Sequence, residues 1–144
     1  VVVNDGWEHT VLNIITLHDY EEDGEQFLAR YVRREEIQGN RMPFNNDRYA
    51  LARGYETGQP IIISEYGGIA FKTDAGWGYG NHVRNEEEFI ERYRKITAAI
   101  NATPYVYGYC YTQIADVQQE TNGLLTEGRR PKVDPEKIRM INLA

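Results

Sequence analysis

Four short apolar runs along the chain have the length and composition of β-strands. The first and third runs are continuously apolar, which is typical of strands covered on both faces rather than of half-exposed antiparallel strands. The fourth, YVYGYCY, is rich in aromatic residues of high strand propensity. The predicted strands are residues 1–4, 13–17, 60–64 and 105–111.

Helical periodicity lies between these runs. Residues 25–37 place apolar side chains at helical spacing, and residues 85–101 do so more regularly. Asn85 can cap the second of these helices, with a glutamate three residues later as in a capping box. A last helix is predicted to begin at Asp134, with Pro135 in its first turn. Strands that alternate with helices predict an α/β protein with a parallel sheet.

The connection between the first two predicted strands is short. Eight residues separate residues 1–4 from residues 13–17, whereas parallel neighbours are usually joined by about a dozen or more. The local pattern by itself therefore favours a hairpin at this point.

Two segments are predicted to be loops. Residues 39–59 are polar, with a short helical piece predicted near residues 47–53. Residues 71–82, FKTDAGWGYGNH, are rich in glycine and aromatic residues and follow the third strand. Long loops with aromatic side chains favour ligand binding, and disordered connectors are the alternative.

Composition narrows the classes of partner. The 144 residues suffice for one domain with a core, and the net charge of −6 argues against a nucleic-acid partner. No apolar run reaches the length of a membrane span. The 11 tyrosines suit a polyhydroxylated ligand, because each ring offers a flat apolar face and a hydrogen-bonding tip. Tyrosines that simply fill half-buried strand positions explain the count equally well.

The single cysteine and the three histidines limit metal and redox chemistry. Cys110 alone excludes an intrachain disulfide and a cysteine-based zinc cluster. The histidines are scattered without metal-ligand spacing, so neither a metal nor a cofactor is predicted. A lone cysteine is compatible with the cytoplasm or the periplasm of a bacterial cell.

The stretch QPIIISEYGG, residues 59–68, carries the strongest chemical signal. A buried strand ends there in Glu65, beside a tyrosine and two glycines. Glu65 is either part of a salt-bridged loop or an active-site carboxylate at the mouth of a parallel barrel, where such enzymes place their chemistry.

An ordered set of motifs decides between these alternatives. VVVNDGWEH, LNIITLHDY, QPIIISEYGG and YVYGYCYTQIADVQQETNGLL resemble, in that order, strands five to eight of the catalytic (β/α)8 TIM barrel of glycoside hydrolase family 2. That family includes β-galactosidases, β-glucuronidases and β-mannosidases. The resemblance covers essentially the whole chain and implies parallel strands, including the pair with the short connection.

The resemblance also implies what surrounds the chain. Residues 1–144 would be a single partial domain, the second half of the barrel, without the amino-terminal half-barrel and β-sandwich domains of a parent protein. A strand-like opening without an initiator methionine agrees with a piece of a longer protein. Halving a barrel exposes strand edges, so the chain is expected either to pair with itself, most simply as a homodimer, or to be prone to aggregation.

The resemblance assigns the chemistry residue by residue. Glu65 would be the nucleophile of a retaining β-glycosidase, and Tyr20 in the HDY motif would hydrogen-bond and orient it. The family's acid/base is a glutamate after asparagine at the end of strand four, which this chain lacks. Its one Asn-Glu pair, Asn85-Glu86, opens a predicted helix. The fragment is therefore expected to be inactive alone.

The remaining candidates are substrate-binding residues. Tyr111 falls where the family often has an aromatic wall for the sugar ring, and His18 and Asp19 flank the same rim. Rim polar residues that pair with each other are the alternative. Trp7 and Glu8, after strand five, are the other two subsite candidates.

The implied function is thus that of a β-galactosidase-like fragment acting on a β-glycoside. The alternative is a carbohydrate-binding or scaffold fragment without chemistry, in which the rim aromatic residues only bind sugar.

Overall fold

The computed structural model describes residues 5–39, 41–42, 44, 46–52, 58–72 and 75–144. The strand predicted at residues 1–4 lies outside the described residues. Within them, no helix is both long and apolar enough to cross a bilayer. The elements are β1 (Ile15–Asp19), α1 (Gly24–Arg30), α2 (Arg34–Gly39), β2 (Arg41–Met42), β3 (Arg48–Tyr49), β4 (Ile61–Gly67), α3 (Glu86–Asn101), β5 (Val106–Thr112) and α4 (Pro135–Asn142).

Three of the predicted strands form one parallel sheet. Its order is β1-β4-β5, with β4 in the centre, and both pairs are parallel. Helices α1 and α2 lie in the crossover from β1 to β4, and α3 lies in the crossover from β4 to β5. The described strands do not close into a barrel. The prediction of an α/β chain with parallel strands is therefore confirmed at this level.

The core lies between one face of this sheet and the helices. Apolar side chains of β1 and β4 on this face are fully buried, as are ring side chains of α1 and α3, because removing apolar surface from water is favourable. The central members are Ile15, Leu17, Ile61, Ile63, Phe27, Phe89, Tyr93 and Ile96.

Helix α3 begins where the sequence predicts. The Oδ1 of Asn85 accepts a hydrogen bond from the Glu88 N–H at 2.9 Å, which satisfies one of the free donors of the first turn. The Glu88 carboxylate accepts from the Arg84 N–H at 2.9 Å instead of from the cap residue. Asn85-Glu86 is thus a helix cap, as predicted. Helix α4 likewise begins at Pro135.

The prediction of one helix over residues 25–37 is wrong. Helix α1 ends at Arg30 and α2 begins at Arg34. Between them the Tyr31 ring is buried and stacks on Phe27 at a centroid distance of 4.3 Å, which holds the chain in a turn. Val32, placed on the apolar stripe by the sequence, is 70% exposed because the helix stops before it.

The predicted helical piece near residues 47–53 is a hairpin in its described part. Strands β2 and β3 pair antiparallel across a turn in which Asn46 and Asp47 have φ of 53° and 57°. Asn and Asp tolerate this left-handed conformation better than most residues, which suits them to the five-residue connection between Met42 and Arg48. Residues 8 and 9 donate backbone N–H groups to Tyr49 and Ala50, so the hairpin lies against the segment that precedes β1.

Gly67 fixes the exit of the central strand. Its φ is 85°, and an added methyl group would lie 2.6 Å from Cδ2 of the Tyr111 ring. Because both the backbone and the packing oppose a side chain, we expect Gly67→Ala to lower the free energy of unfolding by about 3–5 kcal/mol. Urea unfolding measures this change.

Gly108→Ala in β5 is the matched control for this substitution. A methyl group there meets nothing closer than Ile62 Cγ1 at 3.9 Å. We expect a change within about 1 kcal/mol. Equal losses in the two variants would contradict the packing explanation for Gly67.

Candidate active site

A bulge at the end of β4 positions Glu65. Leu17 lies opposite Ile63, but the next residue of β1, His18, lies opposite Glu65, so β4 holds one extra residue. The pairing with β5 shifts at the same place. Bulges re-aim side chains next to functional sites. Here the bulge brings the Glu65 carboxylate to the side chains at the carboxyl end of β1.

The predicted contact between Tyr20 and Glu65 is present. The Tyr20 hydroxyl donates a hydrogen bond to Glu65 Oε2. Burial and this bond both raise the pKa of Tyr20, so the phenol keeps its proton and remains a donor. The Glu65 side chain is 35% exposed, so a ligand can reach the carboxylate. Parallel neighbours present their carboxyl ends together, which is why the two residues meet.

His18 lies between two carboxylates. Its Nε2 is 3.0 Å from Asp5 Oδ2, and its Nδ1 is 3.4 Å from Glu65 Oε2. A neutral imidazole has one N–H and donates to one of them, whereas the protonated ring donates to both. Sequence reasoning placed His18 at the sugar rim, and the structure places it in direct reach of the proposed nucleophile.

Asp5 is the site residue that sequence reasoning missed. Besides His18, it accepts a hydrogen bond from Ser64 Oγ at 2.7 Å. Burial alone would raise the pKa of Asp5, but hydrogen bonds with Thr16, Ser64 and His18 outweigh it and lower that pKa. No local pattern marks Asp5, because its partners His18 and Ser64 lie 13 and 59 residues away along the chain.

Asp5, His18 and Glu65 are also the residues that could hold a metal. Their ligand atoms all lie within 4.8 Å of one another. Each ring nitrogen faces a different carboxylate, however, so an ion on either nitrogen would bind both carboxylates only after the ring turned. The three side chains are therefore arranged as successive hydrogen-bonding partners rather than as ligands around one ion. That the site binds no metal stays a prediction.

The loop at residues 71–82 adds an aromatic group beside Tyr20. The Tyr79 ring stacks on Tyr20 with centroids 3.4 Å apart and 7° between the planes. Trp77 meets Tyr79 edge-on at 5.6 Å and is 41% exposed. Gly68, with φ of 59°, permits this approach, since a methyl group there would lie 3.3 Å from Tyr20 Cδ1.

Trp7 and Glu8 lie on the other side of the site. The Trp7 ring meets His18 edge-on at 5.2 Å, and the Arg48 guanidinium lies 4.3 Å from the centre of the indole. Glu8 is exposed and has φ of 55°. Their predicted role in substrate binding stays a prediction.

The predicted contact of Asp19 with sugar hydroxyls is wrong. Asp19 is 1% exposed and forms an ion pair with Arg30 at 2.8 Å. Burial raises its pKa although Arg30 opposes the shift. Successive side chains of a strand alternate between faces, so His18 points to the site and Asp19 into the interior. At this position the structure agrees with the alternative, in which the polar side chain pairs with another protein residue, here Arg30.

The predicted aromatic wall at Tyr111 stays a prediction. Its ring packs between Tyr66 and Tyr93, at 5.5 Å and 5.3 Å. Its hydroxyl accepts from the Ile69 N–H at 3.0 Å and donates to the Asn122 carbonyl at 3.1 Å. The protein therefore engages the hydroxyl and packs against the ring, but the residue stays partly exposed. Burial raises the Tyr111 pKa.

Solved structures of glycoside-cleaving enzymes resemble this fold. A Bifidobacterium dentium β-glucuronidase, in complex with coumarin-3-O-glucuronide, matches 92% of this chain at a TM-score of 0.56 and 20% identity. A glycoside hydrolase family 2 β-galacturonidase from Eisenbergiella tayi, bound to galacturonate, matches 91% at 0.60 and 18%. A Ruminococcus gnavus β-glucuronidase matches 91% at 0.57 and 14%.

These similarities show the fold of the chain. The chain covers 21%, 23% and 22% of those three enzymes, about a fifth of their length. No protein-family model matches the sequence, and no curated protein matches it. The chain is thus similar in fold to one segment of much longer enzymes.

Proposed function

We propose that the chain is part of a retaining β-glycosidase and that Glu65 is its nucleophile. The observation that carries the proposal is an accessible carboxylate at the carboxyl end of the central parallel strand, held by the Tyr20 hydroxyl. The fold similarity to β-glucuronidases and a β-galacturonidase supports the same class of reaction.

The proposed architecture is the second half of a (β/α)8 barrel, spanning residues 1–144. Strands β1, β4 and β5 would be strands six, seven and eight of that barrel. One sheet face lies under the helices, whereas Ile62 and Ser64 of the other face are only partly buried and Cys110 is exposed among the described residues. In a closed barrel this face points inward and packs against the other strands.

The chemistry follows from the position of Glu65. One carboxylate oxygen attacks the anomeric carbon, the bond to the departing oxygen breaks, and that oxygen takes the bonding electrons. The product is a glycosyl ester of Glu65. The Tyr20 phenol donates to the carboxylate, and an imidazole nitrogen of His18 lies 3.4 Å from it. These contacts hold the carboxylate in a fixed orientation, which favours attack.

The second carboxyl group of the mechanism comes from outside these 144 residues. Asp5 is near enough to be considered, because its oxygen lies within 4.8 Å of that of Glu65. A general acid needs a raised pKa so that it carries a proton at neutral pH. The hydrogen bonds to Asp5 lower its pKa instead. Asp5 is thus a partner of His18 and not the acid.

The substrate class is a β-glycoside. The motif style of the sequence favours a β-galactoside, and the fold neighbours that act on uronic acids make β-glucuronides and β-galacturonides the next candidates. A sugar-binding fragment without chemistry remains the competing function, since it needs no acid.

Covalent labelling tests the proposal on the chain itself. We expect 2,4-dinitrophenyl 2-deoxy-2-fluoro-β-D-galactoside or the matching β-glucuronide to add one fluoroglycosyl group to Glu65. Dinitrophenolate leaves without a proton, so the missing acid is not required. Intact mass and peptide mapping locate the group. An unlabelled chain, or a label on another residue, overturns the proposal.

A further inference from the structure

Trp77 is an exposed aromatic residue at the end of a series of side-chain contacts that starts at Glu65. Glu65 accepts from Tyr20, Tyr20 stacks on Tyr79, and Tyr79 meets the edge of Trp77 at 5.6 Å. Trp77 therefore lies two ring contacts from the hydroxyl that binds the carboxylate. Its 41% exposure means that the protein covers only part of the indole.

The backbone around Trp77 is held on both sides. Its N–H donates to the Gln119 carbonyl at 2.8 Å, and its carbonyl accepts from the Thr121 N–H at 2.9 Å. The loop next to β4 is thus tied to the segment that follows β5. An aromatic ring that is fixed before a ligand arrives loses little conformational freedom on binding.

Glycines flank the two rings of this loop and allow its close packing. A methyl group at Gly78 would lie 2.7 Å from the Gly68 carbonyl oxygen, and one at Gly80 would lie 2.5 Å from Glu22 Oε2. The loop therefore packs closely against the end of β4, whereas the Trp77 side chain remains partly exposed to solvent. Core packing accounts for Tyr79 and leaves the exposed part of Trp77 unexplained.

We propose that Trp77 is a stacking platform for a ring of the β-glycoside bound at Glu65. The proposal rests on the proposed function and deepens it by naming the binding residue. The face of a pyranose, like an aryl aglycone, is apolar and flat, and a partly exposed indole offers a matching surface. Trp77 offers a more exposed ring than Tyr111, to which the sequence assigned this role.

Isothermal titration calorimetry of the 144-residue chain tests the platform. The probes are methyl β-D-galactopyranoside and phenyl 1-thio-β-D-galactopyranoside, together with the corresponding β-glucuronides. We expect Trp77→Ala to weaken binding about fivefold to tenfold. A loss with both probes assigns the platform to the sugar, and a loss with the phenyl probe alone assigns it to the aglycone.

Two further variants keep the test decisive. Tyr107→Ala removes a 72% exposed aromatic residue near the opposite end of β5, and we expect binding to be unchanged. Trp77→Phe keeps a smaller ring and is expected to fall between wild type and Trp77→Ala, which decides the matter if the alanine variant does not fold.

The outcomes separate this inference from the proposed function. Unchanged binding by Trp77→Ala, in a chain that labels at Glu65, overturns the platform alone. An equal loss in Tyr107→Ala also overturns it. A wild-type chain that neither binds a probe nor labels at Glu65 overturns both.

Discussion

Glu65→Gln is expected to abolish covalent labelling by the dinitrophenyl fluoroglycosides. The amide is nearly isosteric with the carboxylate and still accepts hydrogen bonds through its oxygen, but it is a very poor nucleophile. We expect the labelling rate to fall about 10³-fold or more, as for other groups that form the covalent bond. The time course of intact mass measures the rate.

Glu127→Gln is the matched control for this substitution. Glu127 is exposed and lies in the segment before α4. It is expected to label at the wild-type rate. If Glu65→Gln still labelled at a comparable rate, Glu65 would not be the nucleophile.

Tyr20→Phe extends the same measurement to the orienting group. The ring can still stack on Tyr79, while the hydrogen bond to Glu65 is lost. A hydrogen bond to a charged acceptor contributes about 1.5–3 kcal/mol. We therefore expect the labelling rate to fall about tenfold to 100-fold, with labelling still detectable.

The parts of the fold that follow from local sequence were predictable. The run before Glu65 is continuously apolar, and this is where the central buried strand forms. Asn85 has a side chain that can cap, and α3 begins after it. The meeting of Tyr20 and Glu65 follows from the geometry of parallel strands, which needs no knowledge of the loops.

Features that depend on distant partners were not predictable. The HDY motif places His18 and Asp19 side by side, and only the position of Arg30 shows that Asp19 is the buried one. Asp5 belongs to the site because Ser64 and His18 meet it across the sheet. No local pattern encodes those contacts.

The greater exposure of Trp77 than of Tyr111 has the same origin. Both residues are aromatic; Tyr111 lies in β5, and Trp77 lies in the loop that follows β4. The sequence alone therefore does not show which of them could stack on a sugar ring. Helix α3 supplies Tyr93, which packs against the Tyr111 ring and leaves it only partly exposed, whereas Trp77 is 41% exposed. Exposure, which decides between them, is a property of the packed chain.

Alkaline pH is expected to unfold the chain cooperatively. Burial is the largest cause of a raised pKa at six tyrosines, and it raises that of Tyr105 to about 12. The others shift in the same direction, because each folded hydroxyl would lose its proton in a poorly solvated place. They are Tyr20, Tyr31, Tyr66, Tyr93 and Tyr111.

The sign follows from proton linkage. Between the unfolded pKa of about 10 and the raised folded values, the unfolded chain releases protons that the folded chain keeps. The stability from each group is complete below about pH 10 and is lost as pH rises through its folded pKa. In this range the free energy of unfolding falls by up to about 1.4 kcal/mol per pH unit for each deeply buried tyrosine. The loss from several such tyrosines together exceeds a typical stability of about 5–15 kcal/mol.

We therefore expect the fold to be lost between about pH 10 and pH 12. Circular dichroism and tyrosinate absorbance, recorded on the same samples, should change together. Tyr105→Phe removes one linked proton and the hydrogen bond to the Tyr31 carbonyl at 2.8 Å, and should make the fall in stability with pH less steep. Tyr107→Phe, at a 72% exposed position, should leave the transition in place. A chain that stays folded while all its tyrosines ionise would contradict this account, because the buried hydroxyls would then be open to solvent.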